Sequence, residues 1–315
     1  MNNKNWIKFK GIMWAIASVL LSIFLIINIS PMRWGNFNMN IFPWISYSSG
    51  GNMKVINEYE FDHIDDIKNI NSKVGVGDFI IGSSKDNTIK VTVKSNKKPK
   101  NKEIIKATKS SDTLLIEDNS SRNFTIGNNN YFEITVYIPE NYNGNININN
   151  ETGDINLTSN FDIGNLNIDI STGDIRIENT LFSKKAYIES NVGDISIHTL
   201  ETEDLYLKTK VGDVDIKNFS GKGYIDTKTG DIECGVQNLV GDFDIGTKVG
   251  DVDLSVDGNL QFYFDVNKNF GDISCDLEFN NVSQSTSSFR GDRGKNPSNE
   301  ITVDIKTGDM GIDYK

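Results

Sequence analysis

The chain has 315 residues, 37% of them hydrophobic, with 27 glycines against five prolines, two histidines and two cysteines, and a net charge of −11. No acidic residue precedes Glu58, and four basic residues lie at or before Arg33, so the remainder carries 28 positive against 43 negative charges. So acidic a body excludes nucleic acid as a partner, and two isolated histidines leave imidazole triads and His-rich metal sites unsupported.

From Gly11 to Met32 no residue is charged. At ~1.5 Å per residue this stretch spans a hydrocarbon core of ~30 Å, so residues 11–32 are expected to form one transmembrane helix. A cleaved signal peptide is the rival reading, but Asn28-Ile29-Ser30-Pro31 has no small-x-small cleavage pattern. Lys4, Lys8 and Lys10 precede the span and only Arg33 closely follows it. The positive-inside rule therefore places residues 1–10 in the cytoplasm and everything after about residue 33 outside it, as a single-pass cell-membrane protein. Trp34, Phe37, Phe42, Trp44 and Tyr47 suit the headgroup layer, making 33–55 an interfacial segment and linker.

Residues 56–315 read as one extracytoplasmic all-β domain. Its first part, 56–140, is an irregular β block, expected to cap the first repeat, with strands over Asn87–Lys94, Asp112–Glu117 and Phe132–Pro139. Between them Lys94, Lys97, Lys98, Lys100, Lys102, Lys106 and Lys109 form a basic run. A solvated loop accounts for it; so would contact of Lys97, Lys98, Lys100, Lys102, Lys106 and Lys109 with an anionic wall polymer or lipid.

Residues 141–315 repeat. After Val76-Gly77-Asp78, Gly-Asp returns at Gly153, Gly173, Gly193, Gly212, Gly230, Gly250 and Gly271, with steps of 20, 20, 19, 18, 20 and 21 residues from Gly153 on, and once more at Gly308 after 37. Apolar residues stand two and four positions after each Gly (Ile175 and Ile177, Ile195 and Ile197) and five and seven before it (Ile168 and Leu166, Leu207 and Leu205). Such alternation is a strand with one buried face, and its phase changes at Gly-Asp, where the chain must turn or bulge. Each unit is therefore strand, corner, strand, with a looser second turn marked by Gly144, Gly164, Gly223 or Gly241. Stacked units give a β-solenoid-like pile of ~20-residue repeats; an antiparallel β-sandwich is the alternative.

The succession VGVGDFIIGSSKDNTIKVTV, SDTLLIE, FEITVYIPENYNGNININNETGDINL and serial TGDI and VGDI units resembles the bacterial putative-adhesin β-strand-repeat domain of unknown function. The resemblance runs over Ile56–Lys315. Membrane-anchored relatives are associated with envelope-stress loci in low-GC Gram-positive bacteria, which implies a surface protein outside the cytoplasm.

Four chemical expectations complete the reading. No nucleophile elbow, phosphate loop or paired-Cys zinc spacing is present, so neither catalytic residues nor a cofactor are assigned, and only a carboxylate-based enzyme acting on wall glycans stands against a non-enzymatic scaffold, interaction module or adhesin. Stacking would put Asp154, Asp174, Asp194, Asp213, Asp231 and Asp251 in one file at ~4.8 Å intervals. Calcium would neutralise such a file; the structural alternative has each Asp capping its own turn, screened by stripes of Lys210, Lys228 and Lys248 against Asp215, Glu233 and Asp253. Arg290-Gly291-Asp292, in the Ser- and Asn-rich insertion 281–299, reads either as an integrin-ligand mimic or as a chance tripeptide in a loop. Cys234 and Cys275 both stand four residues after a repeat Gly, facing inward with the Leu254 rung between them, too far apart for a disulfide.

Overall fold

The computed structural model divides the chain into two units, Met1–Gly51 and Asn52–Lys315, and describes residues 53–62, 64–97, 104–118 and 131–315. The expected transmembrane helix, the interfacial segment up to residue 52, and Lys98, Lys100 and Lys102 lie outside the described residues; among those described, no helix is long and apolar enough to cross a membrane.

The second unit is a β-solenoid. Strands Ile175–Val192, Ile195–Val211, Val214–Thr229 and Ile232–Val249 are each 16 to 18 residues long and pair side by side, parallel and in register. Ile168 lies beside Ile188, then Leu207, Ile225 and Ile245, all buried. Like residues thus stack on like through a core that runs from rung to rung. This settles the architecture against the sandwich, since among the described residues antiparallel pairing occurs only at the two ends.

The corner explains the repeat. Gly212 has φ +144°, and a Cβ there would lie 2.0 Å from the carbonyl oxygen of Gly193 in the adjacent rung. Conformation and close approach both demand glycine. Nine Gly-Asp corners share this positive φ, and eight intervals of ~4.8 Å make a file of ~38 Å. The looser second turn does not interrupt the strands. They bend there through register shifts, as between Thr202 and Leu205 or Gly221 and Gly223; of the four glycines expected to mark it, only Gly223 has a positive φ.

Two boundaries differ from expectation. The irregular block contains a complete rung of its own, Asn69–Val76, Gly77, Asp78–Ser84, on which the Gly153 rung stacks directly. The cap proper is Ile105–Ser110 with Thr113–Asp118 on one face, and Lys54–Phe61, Ile89–Ser95 and Phe132–Pro139 on the other. Tyr59 Oη donates to the Ile105 carbonyl at 3.1 Å and draws the two faces together.

At the far end, chain order and spatial order part. Glu300–Thr307 pairs with Ile232–Val249 on one side and Phe262–Phe270 on the other, and Met310–Tyr314 lies between Val252–Val256 and Ile273–Cys275. The last rung in sequence is therefore the last but one in space. The insertion before it is no loop but a hairpin, Asn280–Gln284 with Ser288–Arg293, laid antiparallel on Phe262–Phe270. Phe262, Phe264, Phe279 and Phe289 pack ring to ring beneath it.

The inversion corrects the cysteine register. Cys234 is followed by Leu254, Ile312 and only then Cys275, three steps or ~14 Å instead of two. A disulfide needs Cα atoms within ~7 Å; both thiols are free, and burial pushes each above its ordinary pKa. Intact mass under non-reducing, alkylating conditions is expected to show two modified thiols per chain.

Candidate functional site

Parallel in-register stacking converts every outward position of a rung into a file of side chains, and the chemistry of the surface is the chemistry of these files. The most regular follows the corner. Asp154 N–H donates to Asp78 Oδ1 at 2.8 Å, and the same bond links Asp174 to Asp154, Asp194 to Asp174, Asp213 to Asp194, Asp231 to Asp213, Asp251 to Asp231, Asp309 to Asp251 and Asp272 to Asp309, all within 2.7 to 3.0 Å. Each carboxylate thus caps the turn of the neighbouring rung, not its own. Gly N–H donates to the carbonyl of the residue before the next Gly, as Gly212 to Thr229 at 3.0 Å, and the residue after Asp donates to the next Asp carbonyl, as Val214 to Asp231 at 2.9 Å.

At some corners the Gly carbonyl is served from inside, though the buried hydroxyls of Ser190 and Thr209 make no such bond. Three residues before each Gly stands an inward position that is often polar: Asn150, Ser190, Thr209, Thr227 and Thr247 are buried there. Asn150 Nδ2 donates to Gly77 O at 2.9 Å, Thr227 Oγ1 to Gly212 O at 3.4 Å and Thr247 Oγ1 to Gly230 O at 3.3 Å. At the end rung Lys268, 9% exposed, takes the position and its Nζ donates to the Gly271 carbonyl. The sequence signal for this inner file was the Ser or Thr of S-N-V-G-D, T-K-V-G-D and T-K-T-G-D.

The expected screening stripes do not pair. Among the described residues no ion pair joins Lys210, Lys228 or Lys248 to Asp215, Glu233 or Asp253; Lys210 Nζ donates instead to Asn191 Oδ1 at 2.5 Å. Arg176 is the cation on the ladder, 2.6 Å from Asp174 and 3.6 Å from Asp154. Among the described residues no group of three or more His, Cys, Asp or Glu side chains is placed to hold a metal ion. With one oxygen of each carboxylate engaged by a backbone N–H, the ladder is a set of charge-assisted caps. Asp213→Ala is expected to destabilise the domain by ~1–2 kcal/mol and Asp213→Asn by less, because the amide oxygen still accepts. Thermal melts with and without calcium decide between cap and metal: a calcium-dependent rise that chelator abolishes would place the ion on the ladder.

Of the basic run, Lys94 is paired with Glu133 at 2.6 Å and Lys109 with Asp66 at 3.6 Å. Among the described residues no ion pair holds Lys97 or Lys106. Arg290-Gly291-Asp292 is fixed in mid-strand between two partner strands. Arg290 is bound to Asp265 at 2.8 Å, and Asp292 accepts from Asn281 Nδ2 at 2.6 Å. An extended, doubly paired strand does not present the tripeptide as a loop apex would. His198 is exposed, and His63 lies outside the described residues.

Several open hollows collect carboxylates, and two of them bear on the chemistry. One, of about 430 Å³, contains Glu233, Asp253, Asp276 and Asp313 over Gly311. Burial, followed by the charges of Asp251 and Asp231, raises the Asp253 pKa. The other, of about 790 Å³, lies over Gly246. Beside it three tyrosines unmarked in the sequence reading stand in register. Tyr187 and Tyr206 stack at 4.6 Å and 2°, with Tyr224 tilted by 35° at 5.7 Å. Their signal was a Tyr six residues before three successive repeat glycines.

Comparison with solved structures gives low sequence identity over nearly the whole domain. A structure from Bacteroides fragilis named as a putative adhesin is 16% identical, covers 82% of this chain and 97% of its own, and has a TM-score of 0.49. One from Parabacteroides distasonis, also named as a putative adhesin, is 13% identical, with 82% and 98% covered and a TM-score of 0.43. Another from that organism, named as a putative lipid binding protein, is 14% identical, with 84% and 98% covered and a TM-score of 0.41. Comparison with curated proteins gives no match. The Toastrack DUF4097 profile matches residues 67–313, from the first complete rung to the last strand in sequence. The chain belongs to the Toastrack DUF4097 family.

Proposed function

We propose that the chain is a non-enzymatic interaction module of the cell envelope, held at the membrane by residues 11–32 with its repeat domain outside, and acting in the response to envelope stress. The observation that carries this reading is the set of files. A solenoid whose rungs are in register offers the same group every ~4.8 Å along a face, which suits a repeating polymer or an extended surface that gains by many weak contacts. Lys97 and Lys106 extend the acidic body with a basic edge suited to an anionic wall polymer. Catalysis has little to work with: a general acid needs a carboxyl held protonated near neutrality, and the one hollow carboxylate with a raised pKa, Asp253, shares an open site with other carboxylates and no partnered nucleophile.

The test is co-sedimentation of the purified full chain with isolated cell walls, anionic vesicles and membrane-protein fractions. Retention on one fraction that rises at low salt supports the module; retention on none removes it. Orientation is read separately, by labelling a cysteine-free variant with an impermeant thiol reagent at an added Cys replacing Ser287 or Asn3. Labelling at residue 3 from outside would reverse the topology. Surface adhesion is the competing outcome: protease shaving of intact cells would have to release the domain.

A further inference from the structure

The outward files on the strands entering the corner change character midway along the solenoid. Six residues before Gly the file runs Tyr187, Tyr206, Tyr224, Asp244, Thr302; four before Gly it runs Glu189, Lys208, Asp226, Gly246, Asp304. At the Gly246 rung both lose bulk together: the aromatic stack ends, and the neighbouring file has no side chain at all. The hollow of about 790 Å³ opens at this point. Tyr224 closes one end, Gly246 forms the floor with Asp226 and Asp304 flanking it along the stack, Asp244 stands on the side away from the corner, and Lys248 and Lys306 on the corner side.

The charges of this hollow do not cancel within the protein. Among the described residues the one ion pair touching it is Lys208 with Asp226, at 4.0 Å. Asp226 is thus engaged by Lys208 and Tyr224, while Asp244 and Asp304 remain as carboxylate acceptors and Lys248 and Lys306 as ammonium donors outside any ion pair of the described residues. A bare cation would meet three lysines, Lys248, Lys268 and Lys306, and a bare anion three carboxylates, so neither fits. Tyr224 packs one ring face toward Tyr206, leaving its other side at the hollow. Burial and the adjacent Asp226 carboxylate push its phenol up to about 12, so it stays neutral at physiological pH. A ligand matching all three features has an apolar C–H face for the ring and hydroxyls that both donate and accept, which describes a sugar.

We infer that the hollow over Gly246, walled by Tyr224 and rimmed by Asp226, Asp244, Asp304, Lys248 and Lys306, binds a pyranose unit of an oligosaccharide. This deepens the interaction-module reading and rests on it, assigning the ligand class and the rung at which it docks. A further hollow of about 710 Å³, lined by Tyr187, Tyr206 and Tyr224 with Lys185, Asp204, Lys222 and Asp242, runs along the tyrosine file. A chain of sugars bound at Gly246 extends along the tyrosine file in that direction.

The experiment is calorimetric titration of the purified full chain with chitotetraose, cellotetraose and maltotetraose, alongside sedimentation with isolated cell walls. The informative variant is Gly246→Gln. Gly246 has no positive φ, and its added Cβ would first meet the flexible Asp226 carboxylate at 3.2 Å, so the fold is kept while the floor is filled. Saturable binding of at least one tetrasaccharide, weakened at least about tenfold by Gly246→Gln and by Tyr224→Ala and unchanged by Lys106→Gln, is the expected result. Absence of binding by all three sugars, or binding that Gly246→Gln leaves intact, overturns the inference. Wall retention that survives both variants would leave the module reading standing and remove this site alone; retention of the native chain on none of the wall, vesicle and membrane-protein fractions would remove the module reading.

Discussion

Gly212→Ala is expected to destabilise the domain by at least about 3 kcal/mol, combining ~1–3 kcal/mol of backbone strain with corner hydrogen bonds worth ~0.5–1.5 kcal/mol each. The added methyl meets a carbonyl oxygen at 2.0 Å, and that oxygen belongs to Gly193, whose own position is fixed by Gly173 in the same way. No side chain can rotate aside. Opening the gap would lengthen the bonds from Gly193 to Val211, Asp213 to Asp194 and Ile195 to Asp213 together. Gly258→Ala is the control, since nothing lies within 4 Å of its added Cβ, and it is expected to change stability by less than about 0.5 kcal/mol. Urea unfolding of the two variants measures the contrast. Equal midpoints would mean that the corners are far looser than their hydrogen bonds indicate.

Deleting residues 300–315 is expected to unravel one end of the domain and spare the other. The segment carries Ile301, Val303, Ile305, Met310 and Ile312, all buried, at ~1.5–3 kcal/mol of burial each. Among the described residues it is also the strand that bridges Ile232–Val249 and Phe262–Phe270. Hydrogen exchange should show Val252–Val256 and Phe262–Phe270 losing protection while Ile175–Val192 and Ile195–Val211 keep theirs, because in a stacked repeat each rung depends on its neighbours. Protection retained at Val252–Val256 would be incompatible with the pairing of that strand to Met310–Tyr314.

Much of this architecture was legible in the sequence, and the reason is periodicity. Inward residues such as Ile168, Ile188 and Leu207 recur at fixed offsets from a glycine that cannot be replaced, so period, corner and buried face follow from one alignment. What was not legible depends on relations between rungs. Nothing local distinguishes an Asp that caps its own turn from one that caps its neighbour's. The capping bond needs the neighbour's N–H, which only the stack brings near. The hairpin at 280–293 read as a loop because its outer strand, Asn280–Gln284, is exposed throughout and rich in Asn and Ser, and its inner strand is fixed by pairing with the edge of Phe262–Phe270, which no local pattern marks. The hollow over Gly246 escaped notice because it is made by an absence of side chain at one level of two files.

The inverted order of the last two rungs bears on how the domain comes together. Up to Gly250 each strand can dock on its predecessor as soon as it is made, so assembly can follow synthesis. Phe262–Phe270 cannot do so, although it meets the same face first. Docked one position early, it would occupy the place of Glu300–Thr307 and direct the Lys268 stem inward in the middle of the stack, where Ile305 belongs. At the end of the stack that lysine has a use, holding the Gly271 carbonyl. The misplaced pairing is thus a local trap, and escape from it waits on the final sixteen residues. Synthesis that stops short of residue 300 leaves a slot that invites the wrong strand, either from the same chain or, by exchange, from another copy.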